Sequence, residues 1–272
     1  MRGRPRPSVA TRIVDRLKLH RRRLRLDGRD YTVVTLRPGT EARFSTNYFH
    51  GTWHVLSDWH GARLLGRLLW GLAYQRTAGI LVLIDRPFLD TNPFDAEPAD
   101  PVALVPALLT PLTTRAGREL RRRLPLRDAP DGTVVWRTHG LDAVLRERRA
   151  ELELPPGHRA RPRFAPRGSR ERVDRIGGLV TIAGAPRALR DNAVEVYRLG
   201  EWAWRGMDYA ELDWPNGEVQ VFHDYGRRVS AARVARAEVL ALLPAPARNR
   251  PAPETLNPLI WRRGDEVRNG RR

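Results

Sequence analysis

Cysteine is absent from this chain of 272 residues. Disulfides, thiolate nucleophiles and cysteine metal ligands are therefore excluded. Long hydrophobic runs are also missing: no segment approaches the roughly 18 apolar residues that a membrane span requires. The basic N-terminus lacks the apolar stretch of a secretion signal. We expect a cytoplasmic protein that does not enter the membrane.

Lysine is nearly absent, since Lys18 is the single lysine among 49 basic residues. Schiff-base chemistry and lysine-dependent phosphate transfer are consequently not expected. The phosphate-binding loop G-x-x-x-x-G-K-[ST], the dinucleotide-binding G-x-G-x-x-G, the metalloprotease H-E-x-x-H and the serine-hydrolase G-x-S-x-G are missing too. The sequence thus matches none of these catalytic motifs.

Arginine, in contrast, is abundant and gives a net charge of +18 with an isoelectric point near 11.4. The excess lies in residues 1–43, 115–175 and 244–272, whereas the intervening blocks are almost neutral. A protein with this charge distribution favours a polyanionic partner, and nucleic acid is the most common one.

Six arginines are the candidate contacts for such a partner. Arg2-Gly3-Arg4-Pro5 resembles the core of an AT-hook, a short element that lies in the minor groove of AT-rich DNA. A predicted basic helix carries three consecutive arginines, and a further one ends a predicted strand. The candidates are Arg2, Arg4, Arg121, Arg122, Arg123 and Arg137. The alternative is that the arginine run is a solvated helix face.

The clearest local structure is a helix predicted from about Asp58 to Arg76, with Ser57 as its N-cap. Its leucines share one stripe, while His60, Arg63 and Arg67 fall opposite and are expected to face solvent. The unbroken apolar run Ile80–Ile84 follows. It is typical of a strand that is covered on both faces of a parallel sheet.

Other patterns predict the remaining elements. Two-residue turns are expected at Asp27-Gly28, with Arg25 opposite Asp30, and at Asn216-Gly217, with Trp214 opposite Val219. Helices are predicted at 8–20, 114–124, 139–152 and 230–243, and strands at 31–36, 133–137, 179–183, 193–199, 209–214 and 218–223.

Together these elements predict a mixed α/β and α+β fold. Its first half is a small parallel three-layer α/β unit, and an antiparallel β-meander with a C-terminal helix follows. The predicted organisation is a disordered basic arm at 1–7, the α/β half at 8–154, a Pro/Arg-rich linker at 155–175, the antiparallel half at 176–243 and a basic tail at 244–272.

A ligand site in an open parallel sheet lies beyond the carboxyl ends of the strands. Those ends would present Asp85, Arg137 and His139 here, and we take Asp85 and His139 as candidate catalytic residues. The alternative for Asp85 is that it merely accepts backbone hydrogen bonds or pairs with an arginine.

Histidines suggest a second possibility at the same edge. His50 and His54 are four residues apart and would share one face of a helix. With His60 and a carboxylate such as Asp58, Asp85 or Asp90, they could bind zinc or another divalent cation. The alternative is that these histidines cap, hydrogen-bond or line a polar wall.

Three functions therefore stay open after the sequence. The first is binding of nucleic acid or another polyanion through arginine. The second is a hydrolase, metal-assisted or not, at the strand ends. The third is a structural or assembly protein that has no site of its own.

Overall fold

A computed structural model describes residues 16–155, 171–201, 206–243 and 252–270. The strands are β1 Arg16–Leu26, β2 Arg29–Thr35, β3 Phe44–Phe49, β4 Thr52–Ser57, β5 Ile80–Ile84, β6 Val102–Pro106, β7 Gly132–Arg137, β8 Arg172–Ile176, β9 Leu179–Gly184, β10 Met207–Asp213 and β11 Gly217–Phe222. The helices are α1 Trp59–Ala73, α2 Thr114–Arg122, α3 Leu141–Glu153, α4 Pro186–Tyr197, α5 Tyr225–Leu242 and α6 Pro253–Asn269.

Seven strands form the larger sheet, sheet A, in the order β7-β1-β2-β5-β6-β9-β8. Its pairs β2–β5 and β6–β9 are parallel, and the others are antiparallel. The central strand β5 is buried at all five positions, as its continuous apolar run predicts. The mixed α/β fold class is therefore confirmed, with two mixed sheets and a helix at the C-terminal end.

Four strands form the smaller sheet, sheet B, in the order β10-β11-β4-β3. Its central pair β4–β11 is parallel, and both outer pairs are antiparallel. Strands from both sides of the predicted linker thus occur in both sheets. Residues 172–175 of that linker belong to β8, while residues 156–170 lie outside the described part of the chain. The domain boundaries themselves stay a prediction.

Helix α1 lies on one face of sheet A and makes its most extensive contacts with α4. Its own Leu65, Leu68 and Leu72 belong to the largest hydrophobic core cluster. Asp58, and not Ser57, caps this helix: its carboxylate accepts the Gly61 backbone N–H at 2.9 Å. The Ser57 hydroxyl is used elsewhere, because it donates to the carbonyl of Arg43.

The prediction that Arg67 faces solvent is wrong. Its side chain is buried with 6% exposure, and its guanidinium lies 3.4 Å from the hydroxyl of Tyr197, a residue of α4. A second helix therefore covers the side of α1 that the leucine stripe alone would leave to water.

The opposite face of sheet A carries α2, which buries Ala116 and Leu120 against β2 and β5. This helix lies between two hairpin turns. On one side Glu119 accepts the backbone N–H of Asp27 at 2.9 Å, and on the other Arg121 donates to the carbonyl of Gly178 at 2.6 Å. Gly117 permits the close approach, since a Cβ there would lie 2.7 Å from the Ile176 oxygen.

Two predicted elements have the wrong type. The helix expected at 8–20 is contradicted by β1, which includes residues 16–20; residues 1–15 lie outside the described part of the chain. The strand expected at 193–199 is largely the end of α4. Pro186 at its first turn is a helix-start signal that outweighs the β-branched valines.

The two hairpin predictions have opposite outcomes. At Asp27-Gly28 the register is as predicted, with Arg25 opposite Asp30. At Asn216-Gly217 it is wrong, because Val219 pairs with Ala210 and Trp214 is 66% exposed. Pro215 has no backbone N–H to donate to a neighbouring strand, so it lies in a turn longer than two residues. A bulge between Glu211 and Asp213 shifts the β10–β11 register further.

Part of the segment predicted as a basic tail is helical. Helix α6 packs on α5 through Leu256 and Ile260, which contact Ala235 and Val239. None of the helices in the described ranges is long and apolar enough to cross a membrane.

Candidate functional site

Strand β1 places basic side chains on the same face of sheet A as Asp85. Residues directly opposite in a ladder point to one face, and alternate residues along a strand share it. His20 pairs with Thr35, Thr35 pairs with Leu83, and Asp85 follows Leu83 by two positions. Lys18 and Arg22 flank His20 at the same alternation. Leu17 and Leu19 point to the other face, where they join the core.

The edge of this face is open to solvent. In β7, Val135 pairs with Lys18 and Thr133 pairs with His20, so both lie on the face that carries the basic residues. Val135 is 46% exposed, and Thr133 and Arg137 are exposed as well. Helix α2 covers the part of the sheet around Leu26 and Tyr31.

We call this surface the basic face and define it by Lys18, His20, Arg22, Arg37 and Arg137. Lys18 and Arg137 are exposed, and the other three are partly exposed. Burial lowers the pKa of His20, and the charges of Arg37 and Arg22 lower it further. The charges of both Arg22 and Arg37 thus act on His20.

Asp85 lies at the margin of the basic face and is 6% exposed. Burial raises its pKa to about 6, although a hydrogen bond from its own backbone N–H and the charge of Arg22 oppose the rise. On acidification Asp85 loses its negative charge and His20 gains a positive one. The basic face is therefore most positive below the neutral range.

Arg22 connects the basic face to the loop that follows α2. Its guanidinium donates to the backbone carbonyl of Asp128, while its buried Nε finds no hydrogen-bond partner in the described residues.

Each of the three consecutive arginines at the C-terminal end of α2 contacts a backbone carbonyl. Arg121 pairs with Asp100 at 2.8 Å and also donates to Gly178. Arg123 donates to the carbonyl of Arg25, and Arg122 contacts the Arg118 carbonyl from an exposed position. All three guanidinium groups are therefore already engaged in internal contacts.

The three histidines predicted as metal ligands are not brought together by one helix. His50 lies in the β3–β4 turn with φ 50°, and His54 lies within β4, so the helical spacing on which the prediction depended is wrong. His60 is exposed on α1 beside Asp58. Within the described ranges, no three His, Asp or Glu side chains are arranged to hold a metal ion.

The remaining predicted residues lie apart from Asp85 or outside the described ranges. His139 is exposed after β7, and its backbone carbonyl accepts a hydrogen bond from Trp70 at 2.9 Å. Because β1 and β2 separate β7 from β5, His139 and Asp85 lie at the same edge but three strands apart. Arg2 and Arg4 fall in residues 1–15, which the structure does not describe.

Sequence reasoning missed four residues of the basic face: Lys18, His20, Arg22 and Arg37. The signal was present in Leu17-Lys18-Leu19-His20, where apolar and basic residues alternate with the period of a strand. A wider helical spacing of Val9, Ile13 and Leu17 concealed it.

Comparison of the chain with protein-family models, curated proteins and solved structures finds no significant match.

Proposed function

We propose that this protein binds a polyanion, foremost a nucleic acid, across the basic face of sheet A. The observation that carries the proposal is the ladder register, which puts Lys18, His20 and Arg22 on the same face as Arg137. Arg37 lies close enough to act on His20 through its charge. Five basic groups, on β7, on β1 and just after β2, form an electrostatic footprint of the kind that contacts phosphates.

The geometry suits a linear chain of phosphates. Alternate residues of a strand are about 6.8 Å apart, close to twice the rise of about 3.4 Å between phosphates along one nucleic-acid strand. Neighbouring strands add charge at intervals of about 4.8 Å across the face. A sheet surface with charged side-chain ends favours contacts with the phosphate backbone of a nucleic acid, and such contacts carry no sequence information. We therefore expect binding with little sequence preference.

The test is a charge-matched pair of triple variants. Lys18→Gln, Arg37→Gln and Arg137→Gln remove three charges from the basic face. Arg187→Gln, Arg227→Gln and Arg262→Gln remove three charges from exposed positions on α4, α5 and α6. Both variants have the same net charge, so a difference between them reports location and not overall charge.

Binding is measured by fluorescence anisotropy with a 20-nucleotide single-stranded RNA and its DNA equivalent over a salt series. Loss of three phosphate contacts should reduce the slope of log K against log salt by about 2, because each contact contributes roughly 0.7. The control variant should keep the parent slope. Equal slopes in the two variants would refute the proposal, as would the absence of binding by the parent protein at low salt.

A further inference from the structure

A groove lies between the β3–β4 hairpin and α6, on the smaller sheet and away from the basic face. It encloses about 260 Å³. Its lining includes three aromatic residues, Tyr48, Phe49 and Trp261, and three polar ones, Asn47, Asp95 and Asn257. Aromatic walls with a few convergent polar groups are characteristic of small-molecule sites.

Two aromatic rings form the walls of this groove. The rings of Phe49 and Trp261 have centroids 5.9 Å apart and planes at 79°. They remain 42% and 38% exposed, although large aromatic side chains usually bury much more of their surface. Trp261 follows Ile260, which anchors α6 in the core, so the indole is directed away from the helix packing.

The polar groups of the groove are mainly acceptors. Asp95 is buried, and its Oδ1 accepts the Glu97 backbone N–H at 2.9 Å. Its Oδ2 lies 3.4 Å from Asn257 Nδ2, which orients the Asn257 amide. The Oδ1 atom of Asn257 is buried without a hydrogen-bond partner among the described residues. An oriented but unpartnered acceptor indicates that a donor is missing from this position.

The charge of the groove is opposite to that of the protein. Asp95 and Glu254 are acidic, and the described residues that line the groove include no arginine, lysine or histidine. Burial raises the pKa of Asp95, which a bound cation would offset. Arg236 approaches from outside the lining, where it donates to the Asp95 backbone carbonyl and pairs with Glu97. At physiological salt the screening length is about 8 Å, so the nearby carboxylates of Asp95 and Glu254 outweigh the distant excess of arginine.

We propose that the groove binds an organic ammonium ion, with the cationic head in the corner that the rings of Phe49 and Trp261 form and its N–H or adjacent hydroxyl donors directed at Asp95 and Asn257. The faces of aromatic rings attract cations electrostatically, and pairs of rings at steep angles are used to recognise ammonium groups. Acceptors at the floor complete the recognition, because the ammonium group supplies donors or positive charge and has no acceptor of its own. This site is independent of polyanion binding.

Choline is the probe, and its neutral isostere 3,3-dimethyl-1-butanol is the matched control ligand. We expect calorimetry to detect choline binding by the full chain and no comparable binding of the isostere or of methyl glucoside. Trp261→Leu and Phe49→Leu should each weaken choline binding about five- to thirty-fold, the range expected for a desolvated cation–π contact. Tyr209→Leu, at an exposed aromatic outside the groove, should leave it unchanged.

Three results would overturn this proposal. The first is equal affinity for choline and its neutral isostere, which would indicate an apolar site. The second is preferential binding of methyl glucoside, which would indicate a saccharide site. The third is choline binding that survives both aromatic substitutions. A folded Asp95→Asn variant separates charge from shape, because it should weaken choline binding without creating affinity for the isostere. None of these results depends on RNA or DNA binding.

Discussion

At the scale of single residues, Asp85 is a site where burial and charge oppose each other. Its carboxylate is almost fully enclosed, and the nearby guanidinium of Arg22 only partly offsets the loss of hydration. Because its pKa rises from 3.8 to about 6 on folding, the folded protein binds this proton more tightly than the unfolded chain. The stabilisation from this proton is complete below about pH 4 and is lost as the pH rises through about 6.

We therefore predict that Asp85→Asn changes the pH dependence of stability. Relative to the parent protein, the variant should gain about 2 kcal/mol in free energy of unfolding between about pH 4.5 and pH 7.5, since the amide cannot ionise. Urea unfolding at the two pH values measures the change. Asp30→Asn, at an 86% exposed side chain, should show little effect. Parallel pH profiles for the parent protein and Asp85→Asn would contradict the prediction.

At the scale of elements, the close approach of α1 to strand β7 determines how this helix packs on sheet A. Gly71 lies against the buried indole of Trp136, so close that an added Cβ would be 2.2 Å from Nε1. That indole also donates to the carbonyl of Arg67 at 3.3 Å, one turn earlier in the same helix. The glycine thus allows the helix and the β7 strand to approach each other through a single large side chain.

We predict that Gly71→Ala destabilises the protein by about 1–3 kcal/mol, because overpacking outweighs the gain in helix propensity. The control is Gly226→Ala in α5, where an added Cβ meets no atom within 4 Å. That substitution should be neutral or stabilise by up to about 1 kcal/mol. Thermal or denaturant unfolding of both variants provides the comparison, and a similar loss in both would show that the indole contact is unimportant.

Elements with strong local signals are the ones that the sequence predicts correctly. The leucine stripe of α1, the apolar run of β5 and the turn at Asp27-Gly28 are set by residues within a few positions of each other. The edge of sheet A that carries Asp85 could also be predicted, because strand direction follows from alternating elements. The pairing of β1 with β7 could not, because β7 lies far along the chain from β1.

At the scale of the whole molecule, the two sheets interleave distant parts of the chain. Strand β6 pairs with β9, and β4 pairs with β11, although residues 156–170 separate the members of each pair in sequence. Helix α4 from the second part covers α1 from the first. Each part therefore completes the core of the other.

We predict that a fragment of residues 16–155 does not fold cooperatively alone. It would expose the α1 surface that α4 covers and leave β4 and β6 with unpaired backbone groups. Calorimetry of the fragment should show no unfolding transition, whereas a mixture with residues 171–272 should regain one if the parts associate. A sharp transition in the isolated fragment would show that it is an autonomous domain.

The position of α2 has a consequence for the order of folding. This nine-residue helix is too short to persist alone in water, and its contacts with Asp27 and Gly178 join turns from opposite ends of the sheet. Closing such long loops is entropically costly until neighbouring strands have already aligned. The helix should therefore form late in folding, and its amide hydrogens should gain protection from exchange only after those of β2 and β5.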